Sequence, residues 1–189
     1  MVLKLFIGLI YLFPVLLFAQ KTENNFGELS MQWRTYYMNT INKGSLKDFK
    51  ALATGGHLKY QYNFKGNLSL GAAVYNSTNT GLQDLRAPDQ TTGKLSRYEE
   101  GLFNRLELEN TFTFIAGELY AEYKLPKHDL TLGRMKFKSP LVNGQDGRMI
   151  PTLFQGLSYS FTPQKNYELK LAVFNKLARR STGRSYSVG

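Results

Sequence analysis

Leu119-Tyr120-Ala121-Glu122-Tyr123-Lys124-Leu125-Pro126-Lys127-His128-Asp129-Leu130-Thr131-Leu132 alternates with period two on both sides of a tight turn. Successive side chains of a strand point to opposite faces. Leu119, Ala121, Tyr123 and Leu125 therefore share one face, and Glu118, Tyr120, Glu122 and Lys124 the other. Pro126-Lys127-His128-Asp129 is made of residues that turns favour. Leu130 and Leu132 then open the next strand. The stretch reads as a β-hairpin with one apolar and one wet face.

The same pattern recurs outward from this hairpin. Leu29, Met31, Trp33, Thr35 and Tyr37 oppose Ser30, Gln32, Arg34, Tyr36 and Met38. Leu58, Tyr60, Tyr62 and Phe64 oppose Lys59, Gln61 and Asn63, and Leu68, Leu70, Ala72 and Val74 oppose Ser69, Gly71, Ala73 and Tyr75. Leu157, Tyr159 and Phe161 oppose Ser158 and Ser160; Tyr167, Leu169, Leu171 and Val173 oppose Glu168, Lys170 and Ala172. No helical period competes over these windows. Seven strands are expected. Leu106, Leu108, Phe112 and Phe114 alternate on the parity opposite to Leu119. Either a bulge near Ile115 to Gly117 shifts the phase or the link holds a separate strand; a strand starting near Thr111 is the favoured reading.

Charges on the wet faces exclude a sheet buried on both sides. Two architectures remain: a soluble sandwich with one solvated face and a transmembrane β-barrel, whose strands need about 9–11 residues to cross the apolar band. The connections separate them. Lys65-Gly66-Asn67, Pro126 to Asp129 and Pro163-Gln164-Lys165-Asn166 are short. The links from Asn39 to Ala53, Asn76 to Asn110 and Lys138 to Thr152 are long. Outer-membrane barrels alternate tight periplasmic turns with long outer loops in this way, and a Greek-key sandwich has no reason to. Trp33, Tyr37, Tyr62, Phe64, Tyr123 and Phe161 lie near strand ends, where an interfacial girdle needs aromatics.

Composition agrees. The 189 residues carry a net charge of +10 and no Cys. Disulfides, thiolate metal sites and Cys nucleophiles are thereby excluded. Mean hydropathy is −0.32, which excludes a helical membrane protein, while 12 Tyr, 13 Phe and 17 Gly suit a β protein. At the N-terminus, Lys4 precedes an apolar run from Leu5 to Phe18, broken by Pro14 and followed by Ala19. Residues 1–19 read as a signal peptide cleaved before Gln20, leaving 20–189 as the exported barrel segment.

Chemistry-bearing motifs are sparse. His57 and His128 have no partners at metal-ligand spacing and read as solvated surface residues. No nucleophile elbow, P-loop or dinucleotide fingerprint is present. Gly144-Gln145-Asp146-Gly147 lacks the carboxylates of a Ca²⁺ loop. No enzyme, cofactor or metal is expected. For an exported barrel the basic excess points to lipopolysaccharide phosphates or an anionic solute, not nucleic acid. Arg34 and Lys59, on wet faces, are candidate pore-lining cations that attract carboxylates or phosphates; alternatively they pair with Glu118 and Glu122.

From Leu130 onward the residues become recognisable. Leu130-Thr131-Leu132-Gly133-Arg134-Met135, Ser139-Pro140-Leu141-Val142, Asp146-Gly147-Arg148-Met149-Ile150-Pro151 and Phe154-Gln155-Gly156 resemble, in order and spacing, the OprD family of outer-membrane porins. Arg86-Ala87-Pro88-Asp89 with Gly93-Lys94-Leu95, and Phe174 to Ser181, are similar to further family segments. The resemblance covers about Gly27 to Gly189 and is best between Leu130 and Pro151. It implies an antiparallel transmembrane β-barrel of 18 strands, monomeric and about twice this length, of which this chain supplies the N-terminal part. It also implies a narrow channel for amino acids, organic acids and other carboxylate-bearing solutes, walled by basic residues and narrowed by inward-folded loops. By position it makes Arg134 and Arg148 pore-lining residues and places Asp146 and Arg148 in the constricting loop. Arg134 shares the parity of Leu132, so it lines the pore only if Met135 marks a bulge. Expected partners are small solutes, outer-membrane lipid and lipopolysaccharide, and the barrel-assembly machinery. The competing reading is a complete eight-stranded adhesive or structural barrel with one strand hidden within Leu102 to Phe114.

Overall fold

The computed structural model describes residues 27–188. The signal peptide expected over residues 1–19 lies outside them. Eight strands follow in chain order: β1 (Glu28–Thr40), β2 (Phe49–Asn63), β3 (Leu68–Asn79), β4 (Phe112–Leu125), β5 (His128–Met135), β6 (Leu153–Gln164), β7 (Tyr167–Ala178) and β8 (Ser185–Ser187). They form one antiparallel meander in which each strand pairs with the next. Short turns join β2 to β3, β4 to β5 and β6 to β7, while 41–48, 80–111 and 136–152 connect the other ends.

Eight strands correct the expectation of seven. The added one, β8, pairs only Ser185, Tyr186 and Ser187 with Ala178, Leu177 and Lys176, too short a run to show a period. β1 and β8 are not paired to each other among the described residues, so the hidden strand of a closed eight-stranded barrel is not found within Leu102 to Phe114. The long links are shorter than expected, because residues 49–53 continue β2. Their alternation was masked: the inward positions Phe49, Ala51 and Ala53 are buried under loops and are apolar.

The outward face decides between the two architectures. Trp33 is 67%, Leu119 68% and Val173 74% exposed, with Leu132, Leu171 and Met31 also open. In a sandwich these side chains would be dry. Here the apolar face is the convex one, and the buried core lies on the other side. That core consists of Ala51, Ala53, Ala73 and Tyr75 of the wall, capped by Leu85, Leu102 and Phe103 of loop 80–111 and by Met149 and Ile150 of loop 136–152. Both loops are therefore folded inward.

The phase change in β4 is a bulge. Ala73 pairs with Glu118 but Val74 pairs with Ala116, leaving Gly117 without a partner. An extra residue reverses the parity of everything before it. Phe112 and Phe114 thus face outward, stacked with ring centroids 6.5 Å apart, and Ile115 turns inward against the core. Only glycine fits at the bulge, since a Cβ on Gly117 would lie 2.2 Å from the Tyr75 ring.

Candidate functional site

The inward face is where charge collects. On β1, the Arg34 guanidinium is held in place by Gln32 on its own strand, with Nε and Nη2 donating to Gln32 Oε1 at 3.0 and 2.6 Å. Its Nη1 donates to Asp146 Oδ1 at 2.6 Å and to the Arg148 carbonyl at 2.7 Å. The second Asp146 oxygen accepts from Lys136 Nζ at 3.1 Å. One carboxylate thus joins the wall (Arg34), the root of loop 136–152 (Lys136) and the middle of that loop. Lys136 also lies over the Tyr75 ring, 5.5 Å from its centroid.

Below this tether the wall cations are matched by acids. Lys59 Nζ is 3.5 Å from Glu118 Oε2 and 5.1 Å from the centroid of the Tyr120 ring. The buried Glu118 also accepts the Tyr75 hydroxyl. Lys124 pairs with Glu122 at 2.9 Å, and Lys170 with Glu168 at 3.1 Å. A cavity of about 330 Å³ runs along this wall between His57, Lys59, Glu118, Glu122, Thr131 and Lys136.

The structure brings together Arg34, Asp146 and the backbone of Arg148, and sets Lys59 on the same face. The Arg148 side chain points elsewhere, with its guanidinium against Gly101. Arg134 does not join the set. The ladders of β5 run without a shift through Met135 on both sides. No bulge turns Arg134 inward, and it stands on the outward parity with Leu130 and Leu132. Its Nη2 donates to the Ala116 carbonyl beside the Gly117 bulge; it serves the wall, not the channel.

Both histidines also differ from expectation. His57 is in mid-strand, its ring 5.1 Å from that of Tyr75, and its Nδ1 is buried without a partner. His128 opens β5 on the outer face, where it bonds the Tyr159 hydroxyl at 2.7 Å and stacks on Phe161 at 4.8 Å. Sequence reasoning missed Lys136, because its partner depends on how loop 136–152 folds back.

The tether has a defined acid limit. Burial pushes the Asp146 carboxyl up, but the hydrogen bonds from Arg34 and Lys136 outweigh it and hold the group below its ordinary value of 3.8. A depressed native value means the stabilisation is complete above the ordinary carboxylate range and is lost as pH falls through the lower one. Hydrogen exchange of residues 136–152, corrected for intrinsic rate, is therefore expected to show constant protection from neutral pH down to about 4 and loss only below it. Loss between pH 7 and 5 would contradict the tether.

No protein-family model matches the chain, and no curated protein matches it at significant similarity. Solved structures do. The outer membrane protein OpdK of Pseudomonas aeruginosa superposes with a TM-score of 0.62 at 17% identity, covering 84% of this chain and 37% of its own. OccAB1 of Acinetobacter baumannii gives 0.67 at 18% identity, covering 88% of this chain and 39% of its own. A BenF-like porin of Pseudomonas fluorescens gives 0.60 at 13% identity, covering 84% and 38%. A second OpdK structure, solved with vanillate, gives 0.58 at 19% identity, covering 84% and 38%. The chain spans less than two-fifths of the length of these neighbours. An antiparallel meander with a convex apolar face, a charged concave face and inward-folded loops is what these porins share with it, and over that portion of their barrel the chain has the OprD/Occ porin fold.

Proposed function

We propose that this chain forms part of the wall and mouth of an outer-membrane porin, a passive conduit and not an enzyme. Small solutes, carboxylate-bearing ones among them, diffuse past loops 80–111 and 136–152. The observation that carries this reading is the loop tether: a lipid-compatible outer face encloses charged groups, and Arg34 and Lys136 hold loop 136–152 across them through Asp146. A loop fastened inside a wall narrows a channel without closing it. Arg34, Lys59, Asp146 and Arg148 are the residues of this chain set beside the path. The vanillate in an OpdK structure is an aromatic carboxylate, which fits that solute class. In this reading the protein is exported by a cleaved signal peptide and placed by the barrel-assembly machinery. It stands as a monomer among outer-membrane lipid and lipopolysaccharide.

Fractionation and vesicle swelling test the proposal. Protein extracted from outer membranes and reconstituted is expected to let benzoate or an amino acid pass about tenfold faster than a neutral sugar of similar size, since fixed charge concentrates its counter-ion in a narrow path. Recovery of the protein as a soluble periplasmic product, or equal rates for both solutes, contradicts the reading.

A further inference from the structure

The wall cations are neutralised where they stand: Arg34 and Lys136 by Asp146, Lys59 by Glu118, Lys124 by Glu122, Lys170 by Glu168. A paired cation has little field left for a passing solute. The unpaired ones lie in the loops. Among the described residues neither Arg148 nor Arg180 has an ion pair, while other loop arginines do: Arg86 with Asp84, Arg105 with Glu100, Arg184 with Glu107.

Backbone and glycine contacts draw three of these loops to one place. The Arg148 guanidinium rests on Gly101 so closely that a Cβ there would be 1.9 Å from Nη1. Gly101 follows Glu100, which holds Arg105. The Arg105 amide donates to the Ser181 carbonyl at 2.9 Å, next to Arg180. The one nearby carboxylate besides Glu100 is Glu99. It is fully buried and occupied, accepting Thr40 Oγ1 at 2.5 Å and Ser96 Oγ at 3.0 Å. Burial, and then the neighbouring charges of Arg180 and Arg105, push the Arg148 guanidinium below its ordinary value. The guanidinium remains charged, since arginine does not deprotonate in proteins.

We propose that Arg148, Arg180 and Arg105, contributed by loops 136–152, 179–184 and 80–111, form an anion subsite at the long-loop end of the channel. Its occupant is a small doubly charged oxyanion, phosphate or a dicarboxylate. This rests on the porin reading and adds the solute charge and two residues, Arg105 and Arg180, to it. Two guanidinium groups free of carboxylates offer paired N–H donors to separate oxygens of one ligand. A monoanion satisfies only one of them. The site belongs to the channel side, because loop 136–152 is fastened to inward-facing Arg34.

Calorimetry on detergent-extracted protein, stripped of lipopolysaccharide, tests this with inorganic phosphate at pH 8, succinate and acetate. Phosphate and succinate are expected to bind at least about tenfold more tightly than acetate, the scale of one charge-assisted hydrogen bond. Arg180→Gln and Arg148→Gln each lose about tenfold for the dianions, and Arg180→Lys loses less. Lys165→Gln, on the turn at the other end, binds as the parent does. Equal binding of phosphate and acetate, or unchanged phosphate binding by an Arg180→Gln variant that migrates as a folded, heat-modifiable band, overturns the proposal. Displacement of phosphate by added lipopolysaccharide assigns the arginines to a surface lipid and also overturns it. Vesicle swelling reads the porin function separately: swelling without dianion binding retracts the subsite alone, and dianion binding without swelling retracts the porin reading alone.

Discussion

Asp146→Asn is expected to widen the channel, raising the conductance of the assembled pore about twofold and weakening its discrimination between solutes. The carboxylate is the single acceptor for two cations, Arg34 at 2.6 Å and Lys136 at 3.1 Å. Asparagine keeps one carbonyl oxygen and loses the charge, so both bonds fall from charge-assisted to neutral strength. A hydrogen bond to a charged group contributes about 1.5–3 kcal/mol and a neutral one about 1. The Asp146 side chain is 36% exposed, so solvent screening places the net loss near the low end, about 2 kcal/mol. That loss multiplies the open population of the loop by about thirtyfold. Lys136 and Arg34, left facing each other without the acid between them, repel. Arg34→Gln removes the other half of the same tether, so the double variant is expected to conduct no more than about the larger single effect. Single-channel recording with all three variants checks this; conductance unchanged in Asp146→Asn would mean that the apolar contacts of Met149 and Ile150 alone hold the loop.

A larger effect on stability is expected from two glycines of the wall. Gly56 has φ +147°, and a Cβ there would lie 1.9 Å from the Gln32 carbonyl oxygen; Gly156 has φ +156° and would place its Cβ 2.0 Å from the Val173 oxygen. The obstructing atom is backbone in each case. It belongs to the neighbouring strand, at Trp33 opposite Gly56 and Phe174 opposite Gly156. Neither strand can move aside without giving up ladder hydrogen bonds on both of its edges. The unfavourable φ costs about 1–3 kcal/mol for a side-chain-bearing residue, and the overlap adds about as much again. Gly56→Ala and Gly156→Ala are each expected to lose the heat-modifiable folded band in outer-membrane preparations. Gly147→Ala, with open space around its Cβ position, is expected to leave that band intact.

The parts of the site that were readable from the sequence are those set by strand parity. Arg34 and Lys59 stand on the inward face because they alternate with Trp33, Leu58 and Tyr60. The same rule placed Arg134 outward, against its position in the resembling segment, and the continuous ladders of β5 agree with the rule. The phase break at Gly117 was legible too, since two alternations of opposite parity cannot meet without an extra residue. The missed parts were the start of β2, where loop burial replaces polar inward residues by Phe49, Ala51 and Ala53, and β8, three residues long. His57 was read as solvated because nothing local to it shows that the Tyr75 ring will cover it.

The sequence by itself determined the strands, their faces, the alternation of short and long connections and hence a membrane barrel, because period two and turn chemistry are local properties of the chain. Only the tertiary structure decided which charges remain free. Asp146 meets Arg34 across more than a hundred residues, and Arg148, Arg105 and Arg180 converge from three separate loops. Whether a cation attracts a solute or merely balances a neighbour depends on the few ångströms between groups that chain folding alone brings together, and no spacing along the sequence encodes that distance.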